Sequence, residues 1–189
     1  MIQMLAGLTL LLGGLHADAK APPPKKEPAK KEPAKKPGVL HVHDGGSLFS
    51  ATAIDKAKVA MGKMLFEHET ALTIDTHTVV PKDKKLPEDA GERAKFFEDW
   101  AKSAATNDRA KGVYVLVCRS PGYVVVIADK ATRDRGFGAA NEQRVRDMLL
   151  TAFKDSAKET DDKKKFELRD KALSGAVDYV AGALKGTVK

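Results

Sequence analysis

Four residues carry oxygen ligands of the kind a hard cation uses: Asp44, Asn107, Asp108 and Asp129. Asp44 belongs to a glycine-containing loop ahead of the first expected helix. Asn107 and Asp108 fall in the loop before an expected β-hairpin, and Asp129 ends that hairpin's second strand. Calcium takes about six to eight oxygens from loops able to gather around it, so these residues form a candidate Ca2+ site. The same residue types also cap helices and make turns, and that alternative stays open.

Other chemistries are spelled less completely. In His41-Val42-His43-Asp44, residues two apart face the same way in an extended segment. Both imidazoles can then reach one transition metal, with Asp44 as a further ligand, although exposed histidines beside a linker are also ordinary. Asp75 and His77 share one face of an expected strand, as an acid/base pair or as a strand-end hydrogen bond. Arg133, Arg135, Arg144 and Arg146 cluster, but the interleaved Asp134, Glu142 and Asp147 cancel much of their field and favour a solvated face. Several catalytic signatures are missing. The residue six past Cys118 is Val124, not the arginine a phosphate-cradling cysteine loop needs. No P-loop spelling occurs, Gly136-Phe137-Gly138 has two of the three dinucleotide-binding glycines, and there is no nucleophile elbow. A single cysteine allows neither an intramolecular disulfide nor a cysteine metal cage.

The elements that would position these residues can be read from periodicity. Ser50 caps an expected helix running to about Phe66, with Ile54, Ala57, Met61 and Met64 as its apolar stripe. Ala71–Val80 reads as a strand ended by Pro81, and residues 82–91 as a charged loop. A helix follows over residues 92–105, with Phe97, Trp100, Ala101 and Ala104 on one side. Val113–Cys118 and Tyr123–Ile127 form a hairpin across Arg119-Ser120-Pro121-Gly122, whose Pro-Gly pair suits a type II turn. Both strands are apolar at nearly every position, which asks for cover on both faces. Helices over residues 141–155 and 162–185 provide it. The sum is an α/β fold, a three-layer α/β/α domain with a short mixed sheet containing a β-hairpin.

The N-terminal part has a different character. Leu5–Leu15 is an apolar run followed by Ala17-Asp18-Ala19, the pattern of a signal peptide over residues 1–19 and too short to span a bilayer. Residues 20–37 repeat Lys-Lys-Glu-Pro-Ala and read as a disordered Lys/Pro-rich linker. This linker holds seven lysines against two glutamates, whereas residues 38–189 hold 26 basic against 23 acidic residues. Most of the net charge of +7 therefore belongs to the linker. The domain over 38–189 is only mildly basic, which argues against a nucleic-acid groove.

The order of elements resembles the TPM domain, the family named for a thylakoid-lumen protein, a photosystem II repair protein and a levamisole-receptor modulator. The resemblance runs from about Val42 to Leu184. Asp44-Gly45-Gly46-Ser47-Leu48-Phe49-Ser50 is similar to the family's opening, Leu72–Val79 to its β-branched strand, and Phe96-Phe97-Glu98-Asp99-Trp100-Ala101 to its aromatic helix. Asn107–Cys118 is similar to its loop and apolar strand. The chain departs from the pattern after the hairpin, where Ile127–Arg133 replaces a stretch with two glycines. The resemblance implies an extracytoplasmic location, periplasmic or extracellular, and divalent-metal binding, with acid phosphatase activity in some members. Asp44 and Asp108 are the positions to which that site would transfer. The expectation is an exported, non-catalytic module, without a transmembrane helix once mature, that binds a protein partner or an anionic envelope surface, with Ca2+ as its candidate cofactor. The alternative is a metal-assisted phosphatase using Asp44 and Asp108.

Overall fold

A computed structural model describes residues 34–188 of the chain. The expected signal peptide and nearly all of the expected linker lie outside the described residues.

Four strands build the central sheet: β2 (Val39–Asp44), β4 (Ala71–Val79), β5 (Val113–Ser120) and β6 (Tyr123–Ala128), side by side in that order. The first three run parallel, and β6 returns antiparallel to β5. Alternation along β5 explains the layers. Val113, Val115 and Val117 enter one core with α1 (Ala51–Lys63), α4 (Ala139–Lys158) and α5 (Asp162–Ala183). Tyr114, Leu116 and Cys118 enter a second core with α2 (Ala90–Asn107), through Phe97, Trp100 and Ala101. The three-layer α/β/α arrangement expected from the doubly apolar hairpin is thus present. Both crossovers step the same way, from β2 to β4 to β5, yet the first passes through α1 and the second through α2 on the other face. They are therefore of opposite hand, and one departs from the usual right-handed rule.

Three local expectations need correction. The first helix does not reach Phe66: it stops at Lys63, and β3 (Met64–Phe66) pairs antiparallel with β1 (Lys36–Pro37) and β7 (Thr187–Val188). Burial of the Phe66 ring and that long-range pairing outweigh the helical spacing of Met61 and Met64. The folded part accordingly begins before residue 38, and Pro37 is tolerated because β1 is an edge strand. The Ser120–Pro121 bond is cis, so the hairpin turn is not the trans type II turn expected, although Gly122 does take a positive φ of 89°. The stretch after the hairpin holds a short helix, α3 (Lys130–Asp134), capped by Asp129. Among the described residues, no helix is long and apolar enough to cross a membrane.

Candidate functional site

The four expected oxygen ligands do not meet. The register aligns Asp44, at the C-terminal end of β2, with Thr76 and through it with Val117. Asp108 precedes Val113 at the opposite end of β5. Four residues of strand alone separate those levels by about 13 Å. Asn107 and Asp108 are exposed where α2 ends, and Asp129 is committed to the local backbone. Its Oδ2 accepts the Gly112 N–H at 2.7 Å, and its Oδ1 accepts the Thr132 N–H at 2.7 Å. Burial pushes the Asp129 carboxyl up, but these bonds and the nearby Arg135 together hold it below the usual range. A lowered folded-state value stabilises the fold above the ordinary carboxylate value of about 4 and is lost as pH falls below it. Asp129→Asn should therefore cost about 1–2 kcal/mol at neutral pH, and the deficit should shrink near pH 3 in urea unfolding.

The other sequence candidates resolve individually. His41 and His43 are exposed on the α2 side of β2, in a shallow groove that also contains Asp108. Among the described residues, no three His, Cys, Asp or Glu side chains are grouped to hold a metal. Tyr114 Oη donates to Asp75 Oδ2 at 3.0 Å, and burial and then the Asp75 charge push the phenol well above its usual value. His77 Nε2 lies 3.3 Å from the same oxygen but off the line of a hydrogen bond, with its ring 4.8 Å from Trp100. Tyr114 is thus a fixed donor to Asp75, and the network is a structural tie beneath α2. Arg133 pairs with Glu142 at 2.9 Å and Arg135 bonds Thr70 and Thr132, so the arginine cluster is divided among separate partners.

The C-terminal rim of the parallel strands holds a cleft of about 690 Å³. The Asp44 loop forms one wall. Asp44 Oδ1 accepts the Leu48 N–H at 2.9 Å and the Thr76 hydroxyl, while Oδ2 accepts the Phe49 N–H at 2.9 Å. The Thr76 oxygen in turn accepts the Gly46 N–H. Asp44 is therefore the internal brace of this loop, with its oxygens turned to the backbone. Ser50 caps α1 as expected, and Asp170 of α5 grips the Ser50 N–H and hydroxyl. This anchors the loop to α5. The hairpin turn, the end of α4 and the start of α5 complete the cleft.

No known family, curated protein or solved structure matches this chain. The chemistry of the cleft must be read from its own side chains.

Those side chains are cationic over an apolar wall. Arg119, Lys154, Lys165 and Arg169 line it, with Asp162 as their acidic counterpart. Asp162 is taken by Lys165 at 2.7 Å. Arg169 is only 8% exposed. Its Nε donates to the Lys165 carbonyl at 2.9 Å, and its guanidinium packs 4.6 Å from the Phe166 ring centroid. Among the described residues no carboxylate lies within 4.0 Å of it, and its two Nη groups have no acceptor. Burial lowers its pKa and Arg119 lowers it further, while Asp170 and Asp44 act in opposition. The guanidinium nonetheless stays charged at any physiological pH. Cys118 also lines the cleft, but burial pushes its thiol up and it bonds the Ser120 carbonyl at 3.0 Å. A protonated, engaged thiol is a poor nucleophile.

None of Arg119, Lys154 and Arg169 was marked as functional by motif. Arg169 does leave a trace in the sequence. It takes a core position in the apolar series Phe166, Leu173, Val177 and Val180, spaced by threes and fours. A charge at such a position needs a partner, and the described residues do not provide one.

Proposed function

We propose that this chain is an exported, TPM-like module that works by binding, holding an anionic group of a protein partner or envelope surface in the C-terminal-rim cleft. One observation carries the reading: a buried guanidinium, flanked by two further cations that have no ion pair among the described residues, lines a cleft whose described side chains include no poised nucleophile or acid/base pair. An unpaired buried charge is costly, and its retention is accounted for by a ligand that supplies the opposite charge. The apolar run before Ala17-Asp18-Ala19 supports export, and the order of elements supports the family likeness. Calcium is not part of this reading, because Asp44 and the Asn107-Asp108 and Asp129 group occupy opposite rims.

The phosphatase alternative is separated by turnover. The full chain should show no hydrolysis of p-nitrophenyl phosphate above the rate of buffer, with or without divalent cations. Hydrolysis that survives purification and disappears in Arg169→Met would replace the binding module with an enzyme.

A further inference from the structure

The cleft at the C-terminal rim is far larger than a bare anion, and its walls are not those of a simple phosphate cradle. We infer that its ligand is an amphiphilic anion, with the charged head on Arg169 and an apolar body against Leu150, Phe153 and Phe166. The inference rests on the binding-module reading above and specifies its ligand.

The head site is defined by charge. Arg169 lines the cleft, its two Nη groups have no acceptor among the described residues, and its fixed fork suits the two oxygens of a carboxylate or phosphate. Arg119 is close enough to perturb it, and Lys154 comes from the opposite helix with no ion pair among the described residues. Asp44, Asp170 and Asp162 are near enough to be felt by Arg169, yet the first two spend their oxygens on the loop that closes the cleft and Asp162 is paired with Lys165. An incoming anion would thus meet three cations that have no closer claim.

The body site is defined by shape. Leu150, Phe153 and Phe166 are half-buried and turn apolar surface into the same cleft. Sites for small organic ligands span about 300–1,000 Å³, are mostly apolar, and use a few polar groups to fix orientation. A cleft of about 690 Å³ falls inside that range. An inorganic anion would fill only the region beside Arg169 and leave the aromatic wall wet. A short alkyl or aromatic body attached to the anion removes that wall from water, and each buried methylene adds to the affinity.

Such a ligand can be a free small molecule or the head and first carbons of a membrane lipid, and calorimetry on the full chain distinguishes them. Four probes are titrated at low salt: inorganic phosphate, monomeric octyl phosphate, octyltrimethylammonium, and phosphatidylglycerol vesicles. Octyl phosphate should bind at least about tenfold more tightly than inorganic phosphate, and the cationic amphiphile should not bind. Arg169→Met should weaken octyl phosphate by at least about tenfold without lowering the melting temperature, because it removes an unpaired buried charge and keeps the packing. Lys154→Glu, on the exposed wall, should also weaken it. Vesicle binding in addition to monomer binding, lost in the same variants, identifies the lipid source; monomer binding alone identifies a free ligand. Equal affinity for the two phosphates would overturn the amphiphile inference and leave the anion-binding reading standing. Vesicle binding without monomer binding would have the same effect, assigning recognition to the surface of the rim. No binding of either phosphate, or binding unchanged in Arg169→Met, would overturn both.

Discussion

Gly112→Ala should destabilise the domain by about 3 kcal/mol or more. Gly112 enters β5 with φ of +84°, a conformation that alanine adopts only at a cost. A Cβ on Gly112 would stand 2.1 Å from the carbonyl oxygen of Ala71, a main-chain atom of the neighbouring strand that has no rotamer to escape into. Gly112 also donates to Asp129 Oδ2 and accepts the Asp129 N–H at 2.9 Å, so any shift that relieves the clash breaks the tie closing the hairpin. The strands involved, β4 and β5, are the central pair of the sheet and cannot slide independently of both cores. Gly62 in α1 is the matched control. A Cβ there meets nothing within 4 Å, and Gly62→Ala should stabilise by about 0.5–1 kcal/mol through helix propensity. Urea unfolding of both variants tests the pair. Equal, small effects would mean that the entry to β5 is not built around a glycine.

The same contrast between local and long-range causes explains which features were legible in the sequence. The hairpin strands and the helical stripes of α2, α4 and α5 follow from spacings of two and three to four residues, and those spacings survive in the fold. β3 was hidden because Met64 continues the helical rhythm of Met61, while its partners at residues 36–37 and 187–188 are remote. Nothing local in Met64-Leu65-Phe66 specifies either one. The candidate site divides in the same way. Asp44 stood out by residue type, but what it does is set by Thr76, thirty-two residues later, and by two N–H groups of its own loop. Arg119, Lys154 and Arg169 come from the end of β5 and two helices, and they converge only when α4 and α5 pack against the hairpin end. Motif reading tests whether chemistry is contiguous. The cations of this cleft are separated by up to fifty residues, so the one-dimensional trace is reduced to a misplaced charge in a helix stripe.

Asp44→Ala should cost about 3–4 kcal/mol and lower the melting temperature by about 10 °C, with or without calcium. The substitution removes the acceptor of the Leu48 and Phe49 N–H groups, and both residues are buried, so water cannot readily replace the carboxylate. Hydrogen bonds to a charged acceptor are worth about 1.5–3 kcal/mol each, and an orphaned buried donor adds to the loss. Asp44→Asn should lose about half as much: the amide oxygen can still accept one group, but its NH2 then faces a second donor. A calcium ligand would behave differently. Its removal would leave the metal-free protein as stable as before, or more stable, and would reduce the rise in melting temperature that calcium produces. Thermal melts of wild type and both variants, in calcium and in chelator, separate the roles. Amphiphile affinity extends the test to the cleft. Asp44→Ala should weaken binding because Ser47 and Leu48 lose their bracing, and it should do so together with stability. Arg169→Met should weaken binding with stability intact. If instead both variants lost affinity and stability in the same proportion, Arg169 would be another structural brace and the anion would have no head site.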